Sequence, residues 1–210
     1  MSKGIQDLIQ GYKRFRSSYF EGQNTLYQKL AHEGQAPQVA VIACSDSRVD
    51  PALVLDCAPG DLFVIRNVAN LVPPCEYDRG YHGTSAALEF AICQLKVQHV
   101  IVFGHSQCGG IRAMLEKNGE VGHSFIDRWM QLAQSACKFT KKQYPDAPFE
   151  EQVLHCAEKA IVHSLENLKT FPWIQEKIKT QELSLHGWIF EIESGVIKIY
   201  DDKKESFELL

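Results

Sequence analysis

Hydrophobic residues follow two patterns along this chain. Short continuous runs at 39–43, 62–65 and 99–103 are apolar and rich in β-branched residues, which is typical of buried strands. Stripes at helical spacing mark longer segments, among them 123–139 and 150–169. Strands that alternate with helices indicate a parallel sheet with right-handed crossover connections.

The two ends of the chain add further elements to this pattern. Residues 1–34 carry two short helical stripes and predict an N-terminal helical arm that packs on its own sheet or on a partner subunit. Residues 183–192 and 196–200 are strand-like, and Ser194-Gly195 between them predicts a hairpin turn. We therefore predict an α/β fold: a mostly parallel sheet of about four parallel strands plus an antiparallel edge strand, flanked by helices. Without a repeat or a convincing linker, 1–210 is expected to be a single domain.

Local signals predict where several helices begin and end. Asp50-Pro51 has the pattern of an N-cap followed by proline at the first helical position. Thr84 or Ser85 is expected to cap the helix before the third strand. Gly109-Gly110 is expected to open a helix that runs through about Lys117, with Asn118-Gly119 as the signal that ends it.

Composition narrows the class of protein. Of 210 residues, 45% are hydrophobic and 23% are charged, as in an ordinary soluble globular protein. The formal net charge is −4 without a basic stripe, so nucleic-acid binding has no electrostatic support. No apolar run approaches the length of a membrane span, and the N-terminus lacks the apolar core of a signal peptide. Seven unclustered cysteines suit free thiols in a reducing cytoplasm, although an organellar protein that has lost its presequence would fit as well.

Reactive side chains follow two of the predicted strands. The segment Cys44-Ser45-Asp46-Ser47-Arg48 comes directly after the first predicted strand, and the segment Gly104 to Gly110 comes directly after the third. Because the carboxyl ends of parallel strands meet at one edge of a sheet, Cys44, His105 and Cys108 are expected to converge there. Two thiolates and an imidazole are suitable zinc ligands, and three protein ligands leave a fourth position open for chemistry.

The residues alone leave two kinds of zinc site open. Asp46 is either the fourth ligand of a closed structural site or a carboxylate that Arg48 holds away from the metal in a bidentate pair. A cysteine near a histidine is also, in general, more often a buried thiol beside a satisfied histidine than a metal site. Spacing does not choose between the structural and the catalytic reading.

Three motifs in order make a more specific pattern. The segments Cys44-Ser45-Asp46-Ser47-Arg48, Arg66-Asn67-Val68-Ala69-Asn70 and Gly104-His105-Ser106-Gln107-Cys108-Gly109-Gly110 together resemble a β-class carbonic anhydrase. The resemblance runs from about residue 35 through 185–188, which is most of the chain.

That resemblance implies a function and a set of residue roles. It implies reversible hydration of CO2 to bicarbonate, with one zinc ion per chain bound by Cys44, His105 and Cys108. It implies an Asp46–Arg48 dyad that orients the attacking hydroxide. Substrate-binding positions are implied at Gln35, Phe63, Val68, Phe90 (tyrosine in some relatives) and the backbone near Gly109. A homodimer or homotetramer is implied, assembled through the N-terminal helices and the sheet edge, with the active site near the subunit boundary.

One subtype of the family binds bicarbonate in a regulatory pocket of tryptophan, arginine and tyrosine, and there the aspartate replaces the zinc-bound water. Arg66 matches the arginine, but Val41 stands at the tryptophan position and Phe190 near the tyrosine position. We therefore expect that this chain lacks the regulatory pocket and that Asp46 leaves zinc at neutral pH.

Rival functions remain at this point. The same scaffold could act on carbonyl sulfide or carbon disulfide, or hold a non-catalytic zinc ion with Asp46 as a permanent ligand. Residues 104–110 lack the G-x-G-x-x-G and Walker spacings, which disfavours a nucleotide-binding module. A Cys108 nucleophile paired with His105 is the last alternative, and zinc content would exclude it.

Overall fold

One mixed sheet organises the molecule. The computed structural model describes residues 4–21, 25–78, 80–117, 119–120 and 122–210. The strands found in these residues are β1 Val39–Cys44, β2 Leu62–Asn67, β3 His99–His105, β4 Ser184–Phe190, β5 Ile197–Asp201 and β6 Ser206–Leu209. Their spatial order is β2-β1-β3-β4-β5-β6. Strands β1 to β4 pair in parallel, whereas β5 and β6 are antiparallel.

The predicted α/β class and mostly parallel sheet are confirmed. The predicted hairpin after β4 forms at Gly195, whose φ of +72° suits glycine. The structure adds a second antiparallel strand, β6, that was not predicted. It has only four residues, and a run of that length gives too little periodicity to identify a strand.

Helices cover the sheet and extend from it. In the described part of the chain they are α1 Ile5–Phe20, α2 Leu26–Glu33, α3 Pro51–Val54, α4 Gly83–Glu89, α5 Gly109–Glu116, α6 Phe125–Met130, α7 Gln134–Gln143, α8 Phe149–Leu168 and α9 Pro172–Lys179. Short 3-10 turns lie at Val68–Asn70 and Gln131–Ala133, and a π-helical turn at Phe90–Gln94 extends α4.

Most helix boundaries agree with the local signals. The Asp50 carboxylate caps α3 by accepting hydrogen bonds from the amides of Ala52 and Leu53, at 3.1 and 3.3 Å. Helix α4, in contrast, begins at Gly83 with His82 as its N-cap, two or three residues before the predicted caps at Thr84 or Ser85.

Other helices differ from the predicted ranges. The segment 123–139 is divided into α6 and α7 by the turn at Gln131–Ala133, and α9 was not predicted. Helix α5, in contrast, agrees with its prediction: it begins at Gly109 and ends at Glu116, with Lys117 as its C-cap, and Gly119 follows with a φ of +76°. Asn118, part of the predicted helix end, lies outside the described residues.

The central strands are buried on both faces. Residues 40–44 of β1 and 100–105 of β3 are all buried, which explains why their sequences are continuous apolar runs rather than alternating ones. Helix α8 packs closely on one face. A Cβ added at Gly104 or Gly187 would lie 2.7 or 2.9 Å from the Ile161 side chain, so glycine at these positions permits the close approach. The resulting core fixes the strand ends that carry the candidate site.

The N-terminal arm packs on itself more than on the sheet. Among the described residues of α1 and α2, none is buried. Aromatic rings of Phe15, Phe20 and Tyr27 pack together between the two helices, with centroids 5.3 to 6.0 Å apart. Leu8 and Tyr12 on α1 remain 56% and 62% exposed, so the described part of the chain leaves an apolar face of this helix uncovered. None of the helices in the described residues has the length and apolar character needed to cross a bilayer.

Candidate active site

Three potential metal ligands meet at the carboxyl ends of the central strands. Cys44 is the last residue of β1, His105 is the last residue of β3, and Cys108 is the N-cap of α5. Their ligand atoms all lie within 4.8 Å of one another, and the two Sγ atoms are 4.0 Å apart. All three side chains are buried. The parallel pairing of β1 with β3 brings the two segments together, as expected from the sequence.

His105 is oriented as a metal ligand would be. Its Nδ1 lies 2.8 Å from the carbonyl oxygen of Ser106 and donates to it, which assigns the proton to Nδ1 and leaves a lone pair on Nε2. Within the described part of the chain, the buried Nε2 has no hydrogen-bond partner. Because an unpaired buried polar atom is costly, the arrangement fits a metal ion at Nε2.

The two cysteine thiols of the cluster have pKa values that are shifted in opposite directions. The hydrogen bond with Cys108 is the largest effect on Cys44, and together with the backbone amides of Asp46 and Ala69 it lowers the pKa of the Cys44 thiol to about 4. The same contact, reinforced by burial, raises the pKa of Cys108. Two thiolates 4.0 Å apart repel each other, so both ionise only when a cation lies between them. A divalent metal supplies that charge, and thiolate is the ligand form of cysteine.

A carboxylate and a guanidinium lie beside the cluster. Arg48 donates from Nε to Asp46 Oδ1 at 3.0 Å and from Nη2 to Asp46 Oδ2 at 2.8 Å, a bidentate pair. These hydrogen bonds lower the pKa of Asp46 to about 2. Asp46 Oδ2 also lies 3.9 Å from His105 Nε2. An ionised carboxylate therefore faces the position of the metal while Arg48 holds it.

Two of the predicted substrate positions lie next to this cluster. Val68 precedes Ala69, whose amide is 3.4 Å from Cys44 Sγ, and the Trp129 indole donates to the Val68 carbonyl at 2.8 Å. Gly109 is the first residue of α5, directly after Cys108, and the space around its Cα is open. Val68 also lines a cavity of about 620 Å³.

The other three predicted substrate positions lie at the opposite end of the strands. Gln35 is exposed and precedes β1, whose length from Val39 to Cys44 is roughly 17 Å at about 3.3 Å per residue. Phe63 is the second residue of β2, opposite Ala40, and its ring lies 6.0 Å from that of Phe90. Within one chain, the structure does not bring these three residues to the cluster.

Sequence reasoning missed two backbone features of the site. Gln107 has a φ of +56°, and its carbonyl accepts from Arg48 Nη2 at 3.1 Å, which ties the dyad to the loop after β3. Ala69, whose amide faces Cys44 Sγ, has a φ of +62°. Neither residue type signals a left-handed conformation, and strained backbone of this kind is typical of functional sites.

Comparisons with known proteins agree on one family. The family model described as carbonic anhydrase matches residues 39–197. "Beta carbonic anhydrase 5, chloroplastic" of Arabidopsis thaliana is 43% identical over 184 residues, which are 87% of this chain and 60% of that protein. A carbonic anhydrase of Synechocystis is 36% identical over 204 residues, covering 97% of this chain and 73% of that one.

Solved structures give the same result. The β-carbonic anhydrase CcaA superposes with a TM-score of 0.89 at 36% identity, covering 98% of this chain and 99% of that one. A β-carbonic anhydrase from Sordaria macrospora, described as tetrameric, has a TM-score of 0.75 at 33% identity and 92% coverage of both chains. This chain belongs to the carbonic anhydrase family, in its β class.

Proposed function

We propose that this chain catalyses the zinc-dependent, reversible hydration of carbon dioxide to bicarbonate and a proton. The observation that carries the proposal is the buried Cys44–His105–Cys108 cluster, with an unpartnered His105 Nε2 beside a carboxylate held by Arg48. Membership in the β class supports it, although the chain spans only 60% of the length of the Arabidopsis relative. Neither rival substrate, carbonyl sulfide or carbon disulfide, is favoured by an observation on the described residues.

Cys44, His105 and Cys108 would hold one zinc ion per chain. Zinc in such a site lowers the pKa of a water molecule far below that of bulk water and so supplies hydroxide near neutral pH. The hydrogen bond to Ser106 keeps His105 in the tautomer that offers Nε2. The first-turn amides of α5 at Gly110 and Ile111 face the Cys108 sulfur and favour its thiolate.

Asp46 and Arg48 would orient the nucleophile. Because Arg48 keeps the Asp46 carboxylate ionised, Asp46 could accept the hydrogen of a hydroxide and so orient the oxygen lone pair toward the carbon of CO2. The bidentate pair also holds Asp46 away from the ligand set at neutral pH. We propose further that the bicarbonate regulatory pocket is absent, because Val41 is fully buried in the sheet and the Arg66 guanidinium is occupied by this chain's own loop.

Substrate contacts would come from two copies of the chain. Val68 and the backbone at Gly109 supply one wall beside the cluster of their own subunit. Gln35, Phe63 and Phe90 lie too far along the strands to reach that cluster, so a second copy would have to deliver them. Phe90 is 45% exposed in the single chain, which suits a residue that a partner's site covers.

A homodimer or homotetramer built through the N-terminal arm would meet this requirement. The apolar face of α1 is unpaired within the described chain, and burying such side chains typically contributes about 1.5 to 3 kcal/mol each. A related β-carbonic anhydrase is described as tetrameric. All seven cysteines are free, which also supports the cytoplasm as the proposed site of action.

The test is stopped-flow CO2 hydration by protein of known metal content. Wild type is compared with Asp46→Ala and with Asp202→Ala, which removes an exposed carboxylate in the β5–β6 turn. We expect activity at one zinc per chain, a loss of about 100-fold or more in Asp46→Ala, and no loss in Asp202→Ala. Zinc-loaded wild type that is inactive between about pH 6.5 and 9 would contradict the proposal. Protein that binds no zinc would contradict its foundation.

A further inference from the structure

The guanidinium of Arg66, on β2, donates hydrogen bonds to the loop that carries both Cys44 and the Asp46–Arg48 dyad. Its Nε and Nη2 donate to the Cys44 carbonyl at 3.0 and 2.8 Å. Nη2 also donates to the carbonyls of Asp46 and Val49, at 2.7 and 3.3 Å, and Nη1 donates to Asp50 Oδ2 at 3.2 Å. One guanidinium thus binds the loop from its first residue to its last.

The hydrogen bonds of Arg66 connect the loop to β2, whereas the Asp46–Arg48 ion pair lies within the loop. Asp46 and Arg48 belong to the same loop, so their ion pair moves with the loop and does not fix its place. The anchors must come from outside it, and the structure shows them on two sides: Arg66 from β2, and Gln107, which accepts from Arg48. Among these contacts, those of Arg66 reach the backbone on both sides of Asp46.

The position of the loop decides what Asp46 can do. Asp46 Oδ2 lies 3.9 Å from His105 Nε2, whereas a carboxylate oxygen that binds zinc lies about 2.0 to 2.2 Å from the metal. A small shift of the loop would therefore be enough to bring Asp46 into the ligand set. Bound there, Asp46 would close the fourth position and no longer orient a nucleophile.

We propose that Arg66 is a positioning residue that holds the 44–50 loop so that Asp46 stays paired with Arg48 and the fourth metal position stays open. The inference rests on the proposed zinc chemistry and adds to it a residue that touches neither metal nor substrate. Lysine at this position keeps the charge but cannot donate to several carbonyls in a fixed fork.

The test uses the cobalt(II)-substituted oligomer and azide as a small anion that binds the open metal position. Metal content is measured first, and azide binding is then read from the visible cobalt spectrum of wild type, Arg66→Lys and the control Arg112→Lys. Arg112 is a fitting control because its guanidinium pairs with Glu150 of α8 and not with a residue of the 44–50 loop. We expect one cobalt per chain in all three and azide binding weakened about tenfold or more in Arg66→Lys alone.

A double variant separates positioning from general damage. If Asp46 blocks the metal in Arg66→Lys, then Arg66→Lys combined with Asp46→Ala regains azide binding, because the blocking carboxylate is gone. Azide binding by Arg66→Lys equal to wild type, or a loss that Asp46→Ala does not reverse, overturns the inference. Wild type that holds metal but neither binds azide nor hydrates CO2 contradicts the proposed function instead.

Asp50→Asn covers the case in which Arg66→Lys does not fold. Asparagine still caps α3 but removes the negative charge that Arg66 Nη1 contacts. A partial weakening of azide binding, again reversed by Asp46→Ala, supports the inference, and unchanged binding in folded Asp50→Asn and Arg66→Gln proteins contradicts it.

Discussion

The two ends of the parallel strands carry different halves of the proposed site. At the carboxyl ends, Cys44, His105 and Cys108 are buried within 4.8 Å of one another and are positioned by strands of one chain. At the amino ends, Gln35 is exposed and Phe90 is 45% exposed, without a cluster to face in their own chain. A single subunit contains the whole metal-ligand cluster, whereas the residues at the amino ends would face such a cluster only if a second copy of the chain packed against them.

The difference reflects the precision that each half requires. Metal ligands tolerate errors of only about 0.2 Å. Cys44 and His105 accordingly lie on paired strands of one hydrogen-bonded sheet, and Cys108 is the buried N-cap of α5. Walls around a small apolar substrate tolerate more variation, and an interface between subunits can supply them. The following predictions test each half separately.

The largest effect is expected at the carboxyl ends. Replacing Cys108 by serine removes one of three ligands and leaves two, so zinc should be lost on dialysis and CO2 hydration should fall to background. Zinc is measured by atomic absorption. Cys57→Ser, at a half-buried thiol outside the cluster, should keep both metal and activity. Full zinc content in Cys108→Ser would show that the ligand set is wrong.

A smaller effect is expected at the arm, because the ligand cluster stays intact. Leu8→Glu places a charge on the uncovered apolar face of α1, so the oligomer should dissociate at micromolar concentration and activity should fall with it while zinc remains. Light scattering and metal analysis measure the two properties. Gln10→Glu adds the same charge to the polar face of the same helix and should change neither. A fully active monomer would contradict the proposal that two copies of the chain form the substrate site.

Gln35→Ala tests the amino ends more finely. If Gln35 of one copy hydrogen-bonds substrate in the other, its removal should lower kcat/KM by about tenfold, the usual value of one such bond, without loss of zinc or of the oligomer. Gln38→Ala, at a nearby exposed glutamine, is the control. Equal kinetics in the two variants would remove Gln35 from the site.

The smallest effect concerns stability and pH at the amino ends of β3 and β4. Burial, with help from His99, lowers the pKa of His186 below its ordinary 6.5, so the unfolded chain binds more protons in that range. Stability is therefore present above pH 6.5 and is lost as pH falls toward the folded pKa. Because the group is only half-buried, the loss should be a small part of the total free energy of unfolding.

Urea unfolding at pH 5.5 and 7.5, at one protein concentration, measures this loss. The difference between the two midpoints should shrink in His186→Asn and persist in His123→Asn, an exposed histidine. An unchanged difference in His186→Asn would assign the acid sensitivity to another group.

Particular elements show how far the sequence could be interpreted. The strands β1 and β3 were predictable because burial on both faces leaves a continuous apolar run. Strand β6 was not, since its four residues are held by pairing with β5 rather than by a pattern of their own. Helix α9 was missed as well, because its eight residues give only a short helical stripe.

The sequence by itself determined the α/β class and the three candidate metal ligands, because these depend on residue type and on which strand end each residue follows. It indicated the Asp46–Arg48 dyad only through the resemblance of three motifs to a family. Tertiary structure alone decided the rest. It showed that Arg66 holds the loop around Asp46 and that Gln107 and Ala69 adopt left-handed backbone beside the cluster. It also separated Gln35, Phe63 and Phe90 from the cluster of their own chain. The physical reason is that a sequence motif shows only which residues are close along the chain. Which residues are close in space depends on the register of the paired strands, which places each residue at one end of the sheet or the other.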